Sequence, residues 1–125
     1  MIATAAVIIA TTVLAALSVL QGLVAAGRPY GRFVWGGQHE TLPRRLRLGS
    51  VVSIVVYLAM AVVLVVRAAD EAGSNSFVST ATWVLVAYFV LGIAVNAASR
   101  SRAERLVMTP TCAVLAVCAL VIATG

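Results

Sequence analysis

The chain has 125 residues, 62% of them hydrophobic and 10% charged, with nine basic residues against four acids and a net charge of +5. A soluble domain is about 45–50% apolar and ~25% charged, so a water-soluble fold, a disordered chain and a disulfide-stapled secreted module are excluded. The pI near 10.3 and mean hydropathy of +1.08 point to membrane orientation rather than nucleic-acid binding.

A hydrocarbon core of ~30 Å needs roughly 20 helical residues. Span 2–26 is uncharged, with Gln21 as its strongest polar group. No base precedes Ile2 and the arginines follow the run, so it reads as a retained helix rather than a signal peptide. Span 48–66 is uncharged and contains Tyr57; span 77–98 contains Tyr88 and Asn96; span 106–124 completes the set. None of the runs alternates as a barrel strand would. The predicted fold is all-α, an antiparallel four-helix transmembrane bundle in a single membrane domain, 1–125.

Pro43 suits a first-turn position, so the second helix is expected to start there and bring Arg44 and Arg47 onto one interfacial face. Gly73 reads as a stop after the second helix and Ser76 as a cap for the third. Thr109-Pro110 reads either as a cap with proline at the first helical position or as a kink in a fourth helix begun near Ala103, and the second is favoured because the first leaves that helix short for a bilayer. Small residues recur at helical spacing at Ser18, Gly22 and Ala26, and at Cys112, Ala116, Ala119 and Ala123, as in close-packed membrane helices. The first and third spans end alike (Leu23–Arg28 and Val95–Arg100), and the second and fourth are both entered through Arg-Leu, which suggests two tandem hairpins.

Eight of the nine arginines lie in loops one and three, and only Arg67, followed by Asp70 and Glu71, lies on the other side. The positive-inside rule makes loops one and three cytoplasmic and both termini external. Loop 27–47 is longer than the ~12–15 residues usual for an unstructured connection, and carries Tyr30, Phe33, Val34, Trp35 and Leu42. Its aromatics suit the headgroup zone, and Gly36-Gly37 would let backbone N–H groups converge on an anion.

Pro29-Tyr30-Gly31, Trp35-Gly36-Gly37-Gln38-His39 and Leu42-Pro43 with Arg47 and Ser50 form a pattern, continued by Asn96, Ser99, Ser101, Glu104-Arg105 and Thr109-Pro110. It resembles a set of small bacterial four-helix integral membrane proteins without an assigned activity. The resemblance implies a four-span protein of the bacterial inner (cytoplasmic) membrane, and brings no reaction, ligand or catalytic residue with it.

His39 and Glu40 are neighbours, but both cysteines lie in the fourth span, so no metal site or other cofactor is expected. Cys112 and Cys118 are six apart and form no Cys-x-x-Cys pair. No carboxylate or base lies within a span, and Gln21, Asn96, Tyr57 and Tyr88 are the only substantial polar side chains there. The leading expectation is a non-enzymatic membrane component. Arg44, Arg47, Arg100, Arg105, Trp35, Gly36, Gly37 and His39 would bind anionic phospholipid headgroups or a partner protein. The alternative is a transporter of a small or apolar solute, with Gln21, Asn96 and Tyr88 lining the route. That would take a homo-oligomer, because four helices enclose little space. A lipid-modifying enzyme using His39 and Glu40 lacks an evident nucleophile or orienting partner, and no nucleic-acid partner is expected.

Overall fold

The computed structural model describes residues 2–70 and 72–125. Four helices run α1 (Ile2–Ala25), α2 (Arg44–Ala69), α3 (Ser76–Ala97) and α4 (Arg102–Thr124), and the described residues contain no strand. All four are long and apolar enough to cross a membrane. Their large apolar side chains point outwards in rows, such as Val55, Leu58 and Val62 on α2 and Phe77, Val84 and Leu91 on α3. That arrangement suits lipid as the solvent of the outer surface. Several hydroxyls within the spans donate back to carbonyls one turn earlier, as Thr11 does to Val7 and Thr82 to Val78, so those need no water.

The bundle is organised around α4, which buries Leu115, Ala116, Cys118, Ala119, Ile122 and Ala123. Three of the four small residues singled out on this helix are therefore in the core, and Cys112 is half-buried. On α1 the small-residue stripe lies beside the most buried face, with Gly22 turned towards Ile54 of α2. Ala6, Ala10, Leu14, Gln21 and Val24 are buried, whereas Ser18 and Gly22 are half-buried and Ala26 is exposed. Pairing is extensive between α1 and α2, between α3 and α4, and between α1 and α4, but α2 and α3 touch only thinly.

Helix ends follow local chemistry. α1 closes in a Schellman turn: Arg28 N–H donates to Leu23 O at 3.0 Å and Gly27 N–H to Val24 O at 3.1 Å, with Gly27 at φ +91°. The matching tail of α3 keeps the Ser99-to-Asn96 bond but shows no counterpart of the outer one, since serine lacks glycine's left-handed freedom. Pro43 caps α2 from outside, so the helix begins at Arg44. α2 ends at Ala69, earlier than Gly73, which instead turns the following loop at φ +63°. The side-chain cap of α3 is Asn75, one residue before Ser76, accepting from Val78 N–H at 3.1 Å. α4 starts at Arg102 and contains Pro110 within it. Glu71 lies outside the described residues.

Candidate functional site

Loop one is folded rather than draped. Two single 3₁₀ turns, Gly31–Phe33 and Trp35–Gly37, bring Val34 and Leu42 inwards against Val24 of α1 and Met108 of α4. Gly31 N–H donates to Glu40 O at 2.8 Å, and a Cβ on Gly31 would collide with the His39 backbone, so only glycine fits where the loop meets itself.

Trp35, Gly36 and Gly37 follow one another at positive φ (52°, 76° and 69°). A tryptophan in this region is strained and is held there by its surroundings. Its indole lies flat enough on α2 that a Cβ on Gly49 would come within 2.8 Å of the ring, and its Nε1–H donates to the fully buried Ser50 Oγ at 3.0 Å. The Gly36 N–H finds an anion, as the glycine pair suggested, but an internal one: Glu104 Oε2 at 3.2 Å. Gly37 N–H goes to Val34 O. Both donors are thereby engaged within the chain.

Glu104 was not singled out as a site residue, although Ser101-x-x-Glu104 is a capping-box spacing that would have flagged it. Ser101 Oγ accepts from Glu104 N–H at 3.3 Å, as in such a box. The return arm is diverted, because Ser101 N–H is served by Ser99 Oγ and the Glu104 carboxylate reaches loop one instead.

The arginines divide into two groups. Arg28, Arg32, Arg44, Arg45, Arg100 and Arg102 are exposed at the end that carries loops one and three. Arg47 and Arg105 are half-buried and tied to backbone: Arg47 Nε to Leu42 O at 2.8 Å, beside Gly27 at the end of α1, and Arg105 Nη1 to Ser99 O at 3.1 Å, past the end of α3. At the opposite end the buried Arg67 donates to Asp70 O and Ala123 O, where α2 and α4 finish. A guanidinium thus stands at all four helix C-termini, where the partial negative charge of the helix favours it. His39 is exposed, and neither it nor Glu40 makes a side-chain hydrogen bond among the described residues.

The intramembrane polar residues do converge. Gln21 Nε2 reaches Tyr57 Oη at 3.4 Å across α1 and α2, and Asn96 Nδ2 donates to Gly92 O at 2.8 Å and Cys112 Sγ at 3.3 Å across α3 and α4. Together with Trp35, Tyr88 and Glu104 they line a cleft of about 210 Å³ under loop one. Comparison with known proteins finds no matching family model, curated protein or solved structure.

Proposed function

We propose that this is a non-enzymatic, multi-pass protein of the bacterial inner membrane, with both termini outside, whose arginine-rich end binds anionic lipid headgroups at the cytoplasmic face. The observation that carries this reading is the segregation of charge. Six arginines are exposed at one end, whereas the single arginine of the other end is buried against backbone carbonyls. Guanidinium binds phosphate bidentately, and each such base near an anionic leaflet is worth about 1 kcal/mol. Of the residues expected to take part, Arg44, Arg100 and His39 are exposed without a side-chain bond among the described residues, while Arg47, Arg105, Gly36 and Gly37 hold the platform in shape. Membership of the bacterial four-helix set named above belongs to the same proposal.

Lipids retained after gentle extraction test it. An Arg44→Gln/Arg100→Gln variant should carry severalfold less anionic lipid per chain than the wild type; equal content in both would overturn the reading. An acidic protein partner would use the same guanidinium groups, and binding to protein-free anionic vesicles separates the two. Tags on each chain end, reachable only from outside intact cells, test the orientation.

The cleft favours a second reading, an oligomeric transporter for a small or apolar solute. Uptake into vesicles containing only this protein would support it, and a Gln21→Leu/Asn96→Leu variant should lose that uptake.

A further inference from the structure

The cleft has a chemistry opposite to that of the surface around it. Its only charged lining group is Glu104, 8% exposed, whose single side-chain hydrogen bond among the described residues comes from the Gly36 N–H. A carboxylate taken out of water with one neutral donor is under-compensated and favours a cation beside it. Gln21, 7% exposed, lines the same space with its Oε1 buried and without a partner. The Asn96 amide nitrogen is committed to Gly92 and Cys112, which leaves its oxygen as the uncommitted atom. The walls add aromatic rings from Trp35, Tyr57 and Tyr88. Acceptors, one carboxylate and several aromatic rings together are the elements that recognise an organic ammonium ion.

We propose that this cleft binds a small organic ammonium ion, quaternary or protonated, that arrives from the bilayer between α2 and α3. That seam is much thinner than those between α1 and α2, α3 and α4, or α1 and α4. Trp35, Tyr57 and Tyr88 also line a wider groove of about 460 Å³ on its outer side, which Arg45 lines as well, while no arginine lines the inner space. The inner space of 210 Å³ falls below the ~300–1,000 Å³ of drug-sized sites, which suits a compact charged head, with any apolar body left in the outer groove. The inference stands apart from lipid binding at the arginine face, since it concerns other residues and the opposite charge.

The test uses the full chain in the neutral detergent dodecyl maltoside, with Trp83→Phe so that Trp35 is the only reporter. Benzyltrimethylammonium should change Trp35 fluorescence saturably, and benzenesulfonate, an anion of similar size, should not. Glu104→Gln keeps an oxygen for the Gly36 N–H but loses the charge, and should weaken the cation at least tenfold. Tyr57→Phe should retain binding and Tyr57→Leu should weaken it severalfold, a contrast that decides the matter should Glu104→Gln fail to fold. A response without saturation, an equal response to the anion, or unchanged affinity in folded Glu104→Gln would overturn the proposal. Arg44→Gln/Arg100→Gln should leave cation binding intact, so the two proposals fail separately.

Discussion

The backbone N–H of Gly36 donates to the carboxylate of Glu104 at 3.2 Å, joining loop one to the first turn of α4 across 68 positions of sequence. Beside it, Ser101 donates its hydroxyl to Arg32 O, so the same turn of α4 holds the loop twice. Loop one is therefore part of the bundle's lid, and its shape depends on a helix that begins more than fifty residues later.

Gly37 lies where that lid is tightest. It has φ +69°, and a Cβ there would collide with the Ser101 side chain; Gly73 has φ +63° with open space around it. Gly37→Ala should cost about 1–3 kcal/mol of strain plus the collision, and Gly73→Ala the strain alone. Apparent unfolding temperatures in detergent should fall clearly more for the first than for the second. Equal losses would mean that the loop does not press on α4.

The Trp35–Ser50 bond is a second latch. Ser50→Ala leaves the indole N–H of the partly exposed Trp35 without its acceptor and should cost about 1 kcal/mol. In a Trp35→Phe background the same change should cost much less, and the coupling read from the double-mutant cycle measures the bond.

Arg67 ties two helix ends at once. Arg67→Met should destabilise the bundle by about 1–3 kcal/mol, through the loss of charge-assisted bonds to Asp70 O and Ala123 O. Thermal unfolding of this variant should be lowered even though its side chain is more apolar.

The turn after α2 should respond to acid. The Asp70 carboxyl is held below its ordinary 3.8, first by the Asn75 N–H, then by the Ser74 N–H and hydroxyl and the Arg67 charge. A depressed carboxyl contributes stability that is present above 3.8 and is lost as pH falls through the folded value. Amide protection at Ser74 and Asn75 should therefore drop in that acid range, and Asp70→Asn should show low protection with no such drop.

The four spans were legible because absence of charge over some twenty residues needs no partner to interpret. The inward stripe of α1 was not. Alanine and valine cover every face, so which residues are buried is decided by packing against α2 and α4 rather than by periodicity. Gln21, Tyr57, Asn96 and Tyr88 stood out as polar groups in apolar runs, and their convergence follows from the antiparallel packing. The Ser101-x-x-Glu104 spacing marks Glu104 as a capping residue, but only the fold shows its carboxylate turning towards Gly36. Counting arginines indicated a direction, but it did not separate the exposed Arg44 and Arg100 from Arg47 and Arg105, which hold backbone.

That α4 packs against both α1 and α3 bears on the order of synthesis. It leaves the ribosome after its three neighbours, so the Ala6–Ala10–Leu14 row and the second carbonyl for Arg67 must wait in the translocon or in lipid until it arrives. A nascent chain stalled before residue 102 should remain open to protease, and locking should come late, in a single step, when the final hairpin closes.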